Sequence, residues 1–248
     1  MPPTRPGRLS LALSDALYGA VHWLCAPRRP TVSGIERLPA GAAVYLANHA
    51  GPQGPIAVVR ALPARLHPWI LDEMLSLRTA PRRMWLDVGR RWRLSERVGR
   101  AACAAASLLA VPFLRALAPV PVHRANGLFD ACFDHSLALL RLGRSVLLFP
   151  EEPAPEPDAG QMPAAALDAA DDGLWPFGAG LSWLCVRYLR EVAPQLTLVM
   201  LLYRPARRVV EVLPPLTLHA SDPLAHDPRA LLGHVYAVMD AAQRARGS

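Results

Sequence analysis

Six short apolar runs alternate with segments of helical period, and that alternation restricts the chain to an α/β design more than any other feature. The runs are Val44–Ala47, Pro68–Leu71, Pro119–His123, Val146–Phe149, Leu196–Leu202 and Val209–Leu213. Between and after them, helical patterns cover Ile56–Leu62, Arg82–Arg91, Glu96–Leu117, Leu128–Leu142, Ala179–Val192 and Pro228–Arg246. Val146–Phe149 is apolar throughout, as expected of a parallel strand covered on both faces. Gly143 stands just past the Leu128–Leu142 helix, where a left-handed residue commonly closes a helix. The fold expected is one α/β domain over 31–248, with a mostly parallel central sheet flanked by helices. Glu151 to Gly173 is rich in Pro, Ala and acid and has no period, so it reads as a long surface loop.

Residues 1–30 form a separate N-terminal element. Ser10, Ser14, Tyr18 and His22 recur at every fourth position, with Leu9, Leu13, Leu17 and Leu24 on the other side. This is an amphipathic helix. Asp15 and His22 interrupt its apolar character, which argues against a span and against a signal-peptide core. The pattern fits a helix lying in a membrane interface and equally a helix packed on the domain. Ala101–Leu114 reads as a buried helix, broken by Pro112 and ended by Arg115 before spanning length. Eight arginines fall between Arg78 and Arg100, with Trp85 and Trp92 among them. That composition suits lipid head groups, and it suits a solvated helix with its tryptophans inward.

The formal net charge is +7 and the pI near 9.9. An anionic partner follows: a membrane surface, nucleic acid or a phosphorylated substrate. No stacking platform, zinc finger or helix-turn-helix pattern supports nucleic acid, and none is expected as partner. Cys25, Cys103, Cys132 and Cys185 lie far apart without metal-ligand spacing, and they read as buried apolar residues in a reducing compartment.

Three polar stretches close predicted strands: Asn48-His49, His123-Arg124 and Glu151-Glu152. In an open α/β sheet the carboxyl ends of parallel strands share one edge, where such folds bind ligands. That edge would hold an imidazole able to take a proton, a guanidinium for a phosphate and a carboxylate for hydroxyls. His123 and the remaining histidines read as structural or solvated.

The order of these stretches resembles the glycerophospholipid acyltransferases, the group that includes 1-acylglycerol-3-phosphate acyltransferase. Asn48-His49 is similar to the start of their first motif, "PVPVHR" ending in Arg124 to the second, and "LLFPEE" through Glu151 to the third. "PFGAGLSWL" and "LTLVMLLYRP" look like the fourth, so the resemblance spans about Val32 to Ala241. It implies acyl transfer from acyl-CoA or an acyl carrier protein, as co-substrate, to a lysophospholipid or related alcohol. No tightly bound cofactor is implied. His49 would be the general base. Arg124 and Glu151 would contact the acceptor, with Asn48 and Glu152 beside them. The protein would sit peripherally on the cytoplasmic face of a membrane.

Two departures from the pattern stand out. Gly54 occupies the place of the motif's Asp, so nothing at that position can orient His49. Loss of the equivalent Asp in serine proteases costs about ten-thousandfold in turnover. A substitute carboxylate could come from Glu152, Asp72 or Asp87. Glu152 also replaces the Gly of the third motif, and Pro153-Ala154 replaces its Thr-Arg. The alternative implied is a catalytically inactive homologue that binds lipid or acyl carrier at a membrane.

Overall fold

A computed structural model describes residues 15, 16, 18 and 19, then 29–51, 53–87, 89, 94–123, 129–151, 174 and 177–245. Among these residues eight strands form one mixed sheet: β1 Thr31–Ser33, β2 Val44–Ala47, β3 Leu66–Leu71, β4 Val120–Val122, β5 Ser145–Leu148, β6 Gln195–Arg204, β7 Val209–Val212 and β8 Leu216–His219. Their order is β1-β7-β6-β2-β5-β3-β4, with β8 also on β6. The run β6-β2-β5-β3-β4 is parallel throughout. Among the described residues seven α-helices accompany it: α1 Gly54–Ala61, α2 Ala80–Asp87, α3 Glu96–Ala116, α4 Phe129–Arg141, α5 Gly180–Glu191, α6 Pro223–His226 and α7 Pro228–Arg244. The expected α/β domain with a mostly parallel sheet is therefore present. Short β1 and β8 were not foreseen. Three and four residues are too few to carry a period.

The sheet sorts its apolar residues by alternation. Val44, Leu46, Val146 and Leu148 face a core closed by Phe133 and Leu137 of α4, Leu184 of α5 and Val235 of α7. Tyr45, Ala47, Leu147 and Val199 face a second core closed by Ala57 and Val58 of α1, with Leu62 and Leu117. Burial on both faces explains the uninterrupted hydrophobicity of β2 and β5. Tyr18 joins the second core. Its hydroxyl donates to the Val59 carbonyl at 3.1 Å, and Arg65 stacks over its ring at 4.1 Å. Asp15 is gripped by Arg144 at 2.6 Å and by Arg65 at 3.1 Å. The described part of the N-terminal element thus turns its polar side onto the domain. Most of 1–30 lies outside the described residues.

α3 departs from the expectation of a buried helix. Only Gly99, Cys103, Ser107 and Val111 are buried, a narrow stripe at every fourth residue. Gly99 leaves room for the Trp85 ring of α2, which a Cβ would strike. Leu108 is 62% exposed and Leu109 80%. The helix runs through Pro112 to Ala116, because Pro112 lies on the exposed face, where the carbonyl it cannot pair is left to solvent. By length and composition alone α3 could cross a membrane, and 22% of its most apolar window is buried. Trp85 is buried and so serves packing, whereas Trp92 lies outside the described residues. Cys103, Cys132 and Cys185 are free and buried, as expected.

His67 of β3 is fully buried. Its Nδ1 lies 2.9 Å from the Ala118 carbonyl, which can only accept, so Nδ1 carries the proton. Nε2 is buried without a hydrogen-bond partner. Desolvation holds this imidazole at about 4, well below its ordinary 6.5. The unfolded chain therefore binds the additional proton between those two values, and stability rises with pH across that window. Urea unfolding at pH 7.5 and 4.5 is expected to show a loss of up to about 3 kcal/mol from this group on acidification. His67→Asn, whose Nδ2 can stand in for Nδ1, should flatten that dependence.

Candidate functional site at the carboxyl edge of the sheet

The parallel strands β2, β5, β3 and β4 end side by side. The last paired residues are Leu46 with Leu148, Pro68 with Leu147, and Leu71 with Val122. His49, Glu151, Asp72 and His123 stand just past the ends of β2, β5, β3 and β4, so in strand order they form a row of four ionisable residues along the edge. Hydrogen bonds join the first two and the last two.

At the inner end, Asn48 is buried and its carboxamide is committed to backbone. Its Nδ2 donates to the Tyr203 carbonyl at 3.1 Å, and its Oδ1 accepts from the Tyr203 N–H at 2.7 Å. Asn48 thereby ties the end of β2 to β6, and its place in the site is to position the residue that follows. His49 is exposed, with the Phe149 ring edge-on at 5.7 Å. Its backbone N–H donates to Glu151 Oε1 at 3.0 Å. The first and third stretches singled out in the sequence are thus joined directly. Glu151 is also bridged through its backbone to Phe177, just ahead of α5, and the Pro150 carbonyl accepts from the Gly178 N–H at 2.8 Å. That places Phe177 and Gly178 against the same edge.

The His49 imidazole keeps solvent access, as a group in a concavity does, while the protein packed around it disfavours charge. Desolvation is the larger influence and holds it below the ordinary 6.5. The negative charge of Asp87 and a backbone hydrogen bond with Gly51 act in the opposite sense. Asp87, at the end of α2, is held by Arg83 Nε at 2.8 Å, and Arg83 also reaches Glu73 at 3.7 Å. Of Asp72 and Asp87, the described carboxylates considered as substitutes for the missing motif acid, Asp87 is the one whose field acts on His49. Asp72 is engaged elsewhere: its Oδ2 lies 2.8 Å from His123 Nδ1. His123 was read as structural or solvated. Its pairing follows from β3 and β4 ending level, which single-strand patterns do not reveal. Arg124 and Glu152 lie outside the described residues. Among the described residues no cluster of His, Cys, Asp or Glu could hold a metal ion.

The loop after His49 explains the glycine at position 54. Ala50 and Gly51 both have positive φ, 39° and 74°, so the chain turns sharply out of β2. The Gly51 carbonyl then accepts from the Gly54 N–H at 3.2 Å, and α1 begins. A Cβ on Gly54 would stand 1.9 Å from the His49 carbonyl oxygen and 2.8 Å from its carbon. No side chain fits there unless the His49 peptide moves. Gly54 is thus a packing requirement of this loop, and Asp cannot simply be restored.

Compared with models of protein families and with curated proteins, the chain matches none.

Gly54→Ala tests the packing argument, because it adds the forbidden Cβ without charge. It is expected to cost roughly 1–3 kcal/mol in chemical denaturation, as overpacking does. It should also displace the His49 backbone N–H from Glu151, visible as a shifted amide resonance. An unchanged midpoint and spectrum would show that the loop has room.

Proposed function

We propose that the protein catalyses acyl transfer from an acyl thioester to the hydroxyl of a lysophospholipid or related alcohol, at the carboxyl edge of the sheet. The observation that carries the reading is the hydrogen bond between Glu151 and the His49 backbone, which unites two of the stretches on which the resemblance rests. His49 serves as the base. A base held below 6.5 is neutral, and so competent, at neutral pH. As the acceptor oxygen attacks the carbonyl carbon, the imidazole takes its proton. The carbon–sulfur bond breaks and the thiolate leaves. Asp87 acts as the compensating charge for the imidazolium formed in that step, in place of an acid at position 54. Arg124 and Glu152 remain acceptor contacts by resemblance.

A membrane surface is the proposed location, as a peripheral protein on the cytoplasmic side. The exposed apolar face of α3 supports that reading, since a helix apolar on its outward side needs cover. Exposed Arg97 on α3 itself, with exposed Arg78 and Arg82 before and within α2, suits anionic head groups. A second reading, a lipid- or carrier-binding homologue without catalysis, is favoured by the absence of an acid directly on the His49 ring among the described residues.

Thioester-dependent ester formation separates the two. Under the enzymatic reading, His49→Asn lowers kcat by about 10²–10⁴. Asp87→Asn lowers it by about tenfold. The acid limb of kcat/KM should inflect below 6.5, because the imidazole is depressed, and should move lower still in Asp87→Asn, which removes the charge that raises it. No transfer to any alcohol by the wild-type protein would favour the binding reading.

A further inference from the structure

The outer end of the row carries what, among the described residues, its inner end lacks, a carboxylate bonded directly to an imidazole. Asp72 Oδ2 lies 2.8 Å from His123 Nδ1. A carboxylate accepts, so Nδ1 holds the proton and the Nε2 lone pair is presented as a base. The two side chains are 42% and 34% exposed, so water reaches them. A carboxylate–imidazole contact this exposed adds little to stability, too little to account for the arrangement. The His49 ring, by contrast, turns to the Gly51 backbone. Both imidazoles stand at the carboxyl edge of the parallel run, past the ends of β2 and β4, which β5 and β3 separate.

We infer that His123, oriented by Asp72, activates water against an acyl thioester lying along the row, giving the protein an acyl-thioester hydrolase activity besides transfer. This rests on the reading that such a thioester binds at the edge. Nε2 of His123 takes a proton from water as the oxygen bonds to the thioester carbonyl carbon. The carbon–sulfur bond then breaks, its electron pair leaves with sulfur, and the thiolate recovers a proton from the imidazolium. The products are one carboxylic acid, which ionises, and one thiol, and no oxidant or reductant is consumed. His123 is the catalytic residue and Asp72 the positioning residue. Water and the alcohol compete for the same acyl group, so hydrolysis is the outcome when no acceptor is present.

Full-length protein is incubated with octanoyl-CoA, with and without an alcohol acceptor. Free thiol is followed by a thiol-reactive dye and ester by mass spectrometry. Wild type should release thiol without acceptor. His123→Ala should lower kcat for hydrolysis about 100-fold, with KM changed by less than about twofold. Imidazole added to the solution should restore part of that loss, because the vacated site is open to solvent. Asp72→Asn should lower kcat about tenfold without gaining from imidazole. Circular-dichroism melts establish that each variant is folded, and His123→Gln replaces the Ala variant if that one is not. Thiol release by a folded His123 variant at the wild-type rate would overturn the inference, as would a loss that imidazole leaves unchanged. Wild-type protein that forms ester but releases no thiol without acceptor overturns the hydrolase alone. Wild-type protein that does neither overturns the transfer reading and the hydrolase together.

Discussion

A side chain inserted into the sheet's own hydrogen-bond ladder sets the geometry of everything at its carboxyl edge. Asn48 replaces one strand's backbone with a carboxamide and bonds both the N–H and the carbonyl of Tyr203. The backbone of β2 is thereby released one residue early while its end stays anchored. His49 leaves the sheet at once, and two positive-φ residues turn the chain away beneath it. Two buried hydrogen bonds contribute only about 1 kcal/mol each on balance, yet leaving either partner unpaired costs more. The Asn therefore acts as a register pin, and Glu151 secures the other side of the same peptide.

The consequence for the site is a division of labour. Backbone groups of the His49 loop are fixed from three directions, by β6, by Glu151 and by the Gly51–Gly54 turn. The imidazole itself keeps solvent access and a hydrogen bond with the Gly51 backbone. Its electrostatics come from elsewhere in the chain, through α2. Arg83 holds Asp87 on the same helix at i,i+4, and Glu73 shares that Arg. A charge set at a distance shifts an imidazole without fixing its tautomer. The direct bond at the other end of the row fixes it.

Much of this was readable in the chain before any coordinates. All six apolar runs overlap strands, because parallel strands covered on both faces are apolar at every position, the strongest local signal available. The meeting of Asn48-His49 with Glu151 was also readable, since parallel strands must end on a common edge. What escaped depends on pairings between strands. That Asp72 meets His123 follows only from the register of β3 on β4. The meaning of Gly54 was misjudged for a related reason. Its identity looked like the loss of an acid, whereas a carbonyl oxygen occupies the space a side chain would need. α3 was misjudged because an apolar stretch carries no label for which of its sides finds a partner. Only Gly99, Cys103, Ser107 and Val111 do.

The row of four residues does not rest on equally durable supports. β2 and β5 lie in the middle of the sheet, each paired on both sides. β4 is three residues long, sits at the border and, among the described residues, pairs with β3 alone. Border strands detach in partial openings that cost far less than complete unfolding. Warming or mild denaturant would therefore strip His123 from the row while His49 and Glu151 stay seated. The edge has a fragile margin and a durable centre.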